Sequence, residues 1–263
     1  MRDLTISLLQ TPLAWHDPAA NRAHFTDLLQ SLPAETDLAI LPEMFTTGFT
    51  MDAAGLAEPM DGPTLEWMIG TARDTGITLC GSVIISDGGH YYNRCLWVRP
   101  DGSHRHYDKR HLFRMAGEHE HYTAGTERLI VELNGWRVCP LVCYDLRFPV
   151  WSRGINEYDL LVYVANWPAA RRSAWTTLLP ARAVENLCYA AGVNRVGSDG
   201  NDIDYAGDSA AHDFLGNALA SLGDRPGVQT VTLGYETLHR YREKFPAWRD
   251  ADGFRLEGPE QVW

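Results

Sequence analysis

Short apolar runs bounded by turn residues alternate along this chain with longer stretches whose apolar positions recur at helical spacing. Leu4–Gln10 reads as a strand, and residues 21–32 as a helix with Phe25, Leu28, Leu29 and Leu32 on one face. Residues 37–41 form a short buried strand that stops at Pro42-Glu43. Pro63–Thr75 is helical and ends at Gly76, and residues 77–85 are a strand ahead of an Asp87-Gly88-Gly89 turn. Residues 95–99 and His104–Asp108 flank Pro100-Asp101-Gly102, and residues 129–133 and 137–142 flank Asn134-Gly135; both are hairpin signals. Residues 159–165 are another buried strand, and residues 171–188 a long helix that Pro180 should start or kink. Residues 190–196 and 228–233 are later strands, and Tyr235–Lys244 is a last helix. Strands joined both by hairpins and by helices predict an α/β fold with mixed sheets covered by helices, not a pure parallel doubly wound sheet. No linker, repeat or low-complexity segment interrupts the pattern, so residues 1–263 read as one domain.

Composition narrows the partners. Hydrophobic residues at 45% and charged residues at 22% exclude a disordered or fibrous chain. Thirty-four acidic against 23 basic residues give a net charge of −11, which argues against nucleic acid and anionic membranes as partners. The five cysteines (Cys80, Cys95, Cys139, Cys143 and Cys188) form no CxxC, so neither a zinc knuckle nor a thioredoxin-type motif is present. Asp3 and a very short apolar run argue against a signal peptide. No apolar run approaches the roughly 18 residues of a membrane helix. A cytoplasmic protein with reduced thiols is the expectation.

Three reactive residues stand where an apolar strand ends: Glu43 after residues 37–41, Lys109 after His104–Asp108, and Cys143 after residues 137–142. The crevice beyond strand ends is the usual place for a site in α/β sheets, so the three could converge there. Taken singly, a Glu or Lys at a strand end is usually solvated surface, and a Cys in an apolar run an inert small hydrophobe. Cys143 has more than its position. The residues after it, Tyr144-Asp145-Leu146-Arg147-Phe148-Pro149, break the strand and can open a helical turn capped by Asp145. A thiol at such a turn is expected to have a lowered pKa. Cys139, four residues earlier, lies roughly 13 Å away along a strand, too far for a disulfide. Cys143 therefore reads as a single nucleophile.

Leu41-Pro42-Glu43, Tyr107-Asp108-Lys109-Arg110-His111-Leu112-Phe113 and Val142-Cys143-Tyr144-Asp145-Leu146-Arg147-Phe148-Pro149 together resemble the three signature segments of the nitrilase or carbon–nitrogen hydrolase superfamily, in order and in spacing. The resemblance implies an α-β-β-α sandwich, no cofactor and no metal. It implies that Glu43 is the general base, that Lys109 stabilises the oxyanion with the backbone N–H of Tyr144, and that Cys143 attacks an amide or nitrile carbon. A second glutamate helps position the substrate, with Glu118 the better match and Glu120 the alternative. Asn166 and Trp167 would line the substrate pocket. The branch that Cys-Tyr-Asp-Leu-Arg-Phe-Pro most resembles is that of the omega-amidases, which act on 2-oxoglutaramate or 2-oxosuccinamate. Arg147 could then bind the substrate carboxylate, or pair with Asp145 or another nearby acid. The family's sandwich implies a homodimer or higher homo-oligomer, for which residues 235–248, Phe254 and Trp263 offer apolar surface.

Other motifs carry less. His104, His106, His119 and His121 match no metal-ligand spacing with a third partner. Gly207-Asp208-Ser209-Ala210-Ala211 lacks the final glycine of a nucleophile elbow. Arg171-Arg172 reads as a helix start or subunit contact before an anion site. The competing functions are a nitrilase, an amidase for deaminated glutathione or carbamoyl compounds, a Cys–His thiol hydrolase, and a non-catalytic binding protein.

Overall fold

In a computed structural model describing residues 1–154 and 156–256, the strands form two six-stranded mixed sheets and a small ribbon. The first sheet takes β1 (Leu4–Gln10), β2 (Leu38–Ile40), β3 (Thr78–Asp87), β4 (His90–Val98) and β5 (His104–Asp108). The second takes β6 (Val131–Leu133), β7 (Trp136–Val142), β8 (Leu160–Ala165) and β9 (Tyr189–Asn194). After the ribbon β10 (Val196–Ser198) and β11 (Asp204–Ala206), β12 (Ala210–His212) and β13 (Ala218–Ser221) extend the second sheet. The chain then returns as β14 (Gly227–Leu233) beside β1. The orders are β14-β1-β2-β3-β4-β5 and β13-β12-β9-β8-β7-β6. Both sheets have a parallel centre, β1-β2-β3 in one and β7-β8-β9 in the other, with antiparallel flanks.

The helices are α1 (Pro18–Gln30), α2 (Ala53–Leu56), α3 (Pro63–Thr75), α4 (Glu118–His121), α5 (Pro149–Ser152), α6 (Arg172–Asn186) and α7 (Tyr235–Lys244). Period-two alternation sorts the first sheet into two buried faces. Leu4, Ile6, Leu8, Leu38, Ile40, Cys80, Cys95 and Trp97 point to the second sheet. Leu9, Ala39, Leu41, Leu79, Leu96 and Val98 meet Phe25, Leu29, Leu65 and Met68 of α1 and α3. Helices α6 and α7 cover the second sheet through Trp175, Leu179 and Leu238. This is the α-β-β-α sandwich that the sequence resemblance implied.

Several boundaries differ from the sequence reading. Strand β4 begins at His90, five residues before the expected start, because β3 turns through Gly88 and Gly89, both at positive φ, into a long hairpin. Helix α6 starts at Arg172 and passes through Pro180, so the proline does not begin it. The short strands of the ribbon, β12 and β13 carried no apolar run long enough to predict. Of the surface expected to join subunits, Tyr235 and Tyr241 pack on the core, whereas Phe245 and Phe254 are exposed. Trp263 lies outside the described residues. Among the described residues, no helix is long and apolar enough to cross a membrane.

Candidate active site

Strand β2 ends three residues before Glu43, β5 ends at the residue before Lys109, and β7 ends at the residue before Cys143. The two sheets face each other, so these three strand ends meet at one edge of the sandwich. Lys109 Nζ donates to Glu43 Oε1 at 2.9 Å and to both oxygens of Glu118, at 3.0 and 2.9 Å. Glu43, Lys109 and Glu118 are all essentially without solvent contact. Glu118, in the single turn of α4, is thus the second glutamate of the cluster, while Glu120 is exposed. The Glu118 carboxylate also accepts the backbone N–H of Phe113.

Glu43 is held on both oxygens. The backbone N–H of Asn166 donates to Oε2 at 2.8 Å, and the Asn166 side-chain amide donates to the backbone carbonyl of Glu43. Asn166 thus lines the cleft, yet its amide nitrogen is turned to the Glu43 backbone. Burial alone would push the Lys109 ammonium toward its neutral form, but the Glu118 and Glu43 carboxylates outweigh it and hold it above its usual value. Burial also raises Glu118, against the pull of Lys109.

Cys143 opens a 3₁₀ turn, Cys143–Arg147, with a backbone φ of +44°, a left-handed conformation costly for a residue with a Cβ. Asp145 caps this turn, as the sequence suggested, from its third position: its carboxylate reaches back to accept the N–H of Val142 at 3.0 Å. The same carboxylate accepts the Tyr107 hydroxyl at 2.7 Å, and the His111 backbone N–H at 3.0 Å with the His111 ring nitrogen at 2.8 Å. Asp145 therefore ties the Cys143 turn to the Lys109 segment, and its oxygens are occupied, so Arg147 does not pair with it. The expected lowering of the thiol pKa is also corrected. Burial, then the Glu43 charge, push the Cys143 thiol well above its ordinary value, and Lys109 offsets this only in part. Burial thus favours the protonated Cys143 thiol over the thiolate.

Beside Cys143 lies a cleft of about 160 Å³, on the order of a cavity that holds one benzene-sized molecule. Aromatic walls from Phe49, Phe113, Tyr144 and Trp167 surround it. Trp167 is nearly buried and donates its indole N–H to the Arg171 carbonyl at 2.8 Å. Two guanidinium groups also line the cleft: Arg147, 5.1 Å from the Trp167 ring, and Arg171, 4.9 Å from the Phe113 ring. Neither forms a salt bridge among the described residues. Arg171 was read with Arg172 as a helix start or subunit contact; Arg172 does open α6, where it bonds Asp208, whereas Arg171 lines the cleft. Asn93 was missed because its strand was read as starting two residues later. Period two from Cys95 and Trp97 would have placed it on the face between the sheets.

Gly125 supports the Lys109 segment. Its N–H donates to the Lys109 carbonyl at 2.9 Å, and a Cβ there would overlap the carbonyl oxygen of Asp108. Gly125→Ala is expected to destabilise the fold by about 1–3 kcal/mol and to lower kcat, because the backbone that must shift carries Lys109. Chemical denaturation and turnover on the same sample check both effects.

The sandwich and its strand-end Glu–Lys–Cys cluster define a class of enzyme, and comparison with known proteins identifies it. Residues 5–243 match the carbon-nitrogen hydrolase family, and the chain belongs to it. It is a hydrolase of non-peptide carbon–nitrogen bonds, of the amidase kind. It is 51% identical to the omega-amidase YafV of Escherichia coli over 97% of this chain and all of that one. It is 34% identical to a 2-oxoglutaramate amidase of Bacillus subtilis, covering 94% and 96% of the two chains. Among solved structures, a CN-hydrolase superfamily protein of Xanthomonas campestris with an arsenic adduct in its active site superposes with a TM-score of 0.95. That protein is 50% identical, and the match covers 98% of this chain and 100% of the other.

Proposed function

We propose that this enzyme hydrolyses the terminal amide of small ω-amido acids, 2-oxoglutaramate and 2-oxosuccinamate first among them, through a thioester on Cys143. The observation that carries the reading is the buried Lys109 between two carboxylates beside a small cleft that also presents Arg147. The likeness to an omega-amidase and to a 2-oxoglutaramate amidase supports the substrate class.

The steps follow from the groups present. Glu43 takes the proton of the Cys143 thiol as sulfur attacks the amide carbon. Negative charge then develops on the amide oxygen, where Lys109 and the Tyr144 N–H stabilise it. Glu43 returns the proton to the departing nitrogen, ammonia leaves, and the thioester remains. Water then attacks the thioester with Glu43 again taking a proton, releasing the carboxylic acid and restoring the thiol. Glu118 holds Lys109 in place on the side opposite Glu43.

At the far end of the substrate a carboxylate needs a cation, since the −11 net charge repels anions at long range. Arg147 supplies it. An ammonia-release screen over ω-amido acids, neutral amides, ureas and nitriles tests the reading, with turnover of ω-amido acids expected to lead. Arg147→Lys is expected to reduce kcat/KM on 2-oxoglutaramate on the order of tenfold or more and to leave a neutral amide of similar length nearly unchanged. Equal losses on both substrates would make Arg147 a support of the Cys143 turn instead. Turnover of nitriles in preference to amides would overturn the amidase reading for this site.

A further inference from the structure

We propose that Asn93 is a positioning residue for the reaction, its side-chain amide bridging the Glu43 and Glu118 carboxylates so that Glu43 stays aimed at the thiol. The inference rests on Glu43 being the base. Asn93 lies on β4 with no solvent exposure, on the same strand face as Cys95 and Trp97, between the two sheets. Its Nδ2 donates to Glu43 Oε1 at 2.7 Å and to Glu118 Oε1 at 3.3 Å.

The orientation of this amide is dictated by a chain of donors. The backbone N–H of Met44 can only donate, and it donates to Ser82 Oγ at 2.8 Å. The single hydroxyl hydrogen of Ser82 is then directed to Asn93 Oδ1, 2.8 Å away. With its oxygen satisfied, Asn93 turns both amide hydrogens toward the carboxylates. Met44 itself is held at a φ of +40°, so the same chain restrains the strained residue that follows the base.

The electrostatic need for such a donor is plain. Two buried carboxylates share one ammonium, and the cluster excludes the water that would otherwise solvate the second charge. Neutral donors must supply the rest, and a hydrogen bond donated to a carboxylate favours its charged form. The ionisable groups around the pair are Lys109 at the end of β5, Cys143 in the turn after β7, Tyr122 after α4 and Tyr205 on β11. Burial drives both tyrosine hydroxyls up, which keeps them neutral.

Asn93→Leu removes the donors while keeping a side chain branched at the same carbon. The experiment is the pH dependence of Cys143 alkylation by iodoacetamide, which needs no assumption about substrate, alongside kcat/KM for an amide. The expected result is a folded protein in which the acid limb of both profiles is displaced to higher pH by about one unit, so that alkylation at pH values below the limb falls on the order of tenfold. The sign follows because a carboxylate that loses donors binds its proton more tightly, so the base is lost at a higher pH. Ser82→Ala, which frees the amide to turn its oxygen to the carboxylates, is expected to shift the limb in the same direction by less, and carries the test if Asn93→Leu does not fold. A limb that stays in place, even with a lower rate at every pH, makes Asn93 merely structural and overturns the proposal. The parent reading fails separately: Glu43→Gln with normal turnover would overturn the base assignment, whereas an inactive Glu43→Gln beside an unmoved limb overturns this inference alone.

Discussion

Cys143→Ala is expected to abolish amide hydrolysis, a loss on the order of 10⁴–10⁶ in kcat, with the fold intact. The size follows from covalent catalysis, since no other group in the cleft can accept the acyl carbon in place of sulfur. Cys143 is the one cysteine that lines the cleft, where its side chain keeps slight exposure, while Cys80, Cys95, Cys139 and Cys188 are wholly buried. Burial pushes Cys139 up to about 12 and Cys188 higher still, as it also raises Cys143, but neither of the two lines the cleft. Alanine at each of these four positions should therefore keep kcat, with only the modest destabilisation of a small core cavity. Mass spectrometry after mixing with substrate should find the acyl group on the peptide containing Cys143. Turnover retained in Cys143→Ala would sink the thioester mechanism entirely.

Lys109→Met should lower kcat by at least 10²–10³, the usual loss when an oxyanion donor is removed. Here the effect has a second component, because Lys109 is the cation between Glu43 and Glu118. Methionine fills the space but leaves two buried carboxylates facing each other, and like charges so placed cannot both stay ionised. One of them should hold a proton at neutral pH, so the acid limb of the residual activity should move to higher pH. Stability should fall as well, since removing one partner of a buried ion pair costs about 3–5 kcal/mol. Thermal melting, the pH profile of kcat and substrate affinity separate the two components. Near-normal kcat with an unchanged profile would remove Lys109 from both roles.

The sequence resolved this protein well wherever the deciding physics was local. Leu4–Gln10, Pro63–Thr75, His104–Asp108 and Tyr235–Lys244 coincide with the elements in the structure, because an apolar period or a flanking Pro or Gly turn marks each of them from neighbouring positions. Glu43 and Cys143 were legible for the same reason, as each follows an apolar run, and Lys109 because it follows a short strand opened by the Pro100-Asp101-Gly102 turn. What joined them was decided elsewhere. Glu43 and Lys109 are 66 positions apart, and only the pairing of β2 through β5 within the first sheet brings them to 2.9 Å, while the second sheet packed on it adds Cys143. The choice of Glu118 over Glu120 depended on which side of a single helical turn faced that cluster. Asn93 escaped notice, and Arg171 was read as a helix start or subunit contact, because a polar residue announces no partner until its strand or helix is docked. The state of the Cys143 thiol was read with the wrong sign for a related reason. A turn dipole and nearby cations can be guessed from the residues around a cysteine, but desolvation depends on everything that closes over it, and here burial together with the Glu43 charge outweighs Lys109.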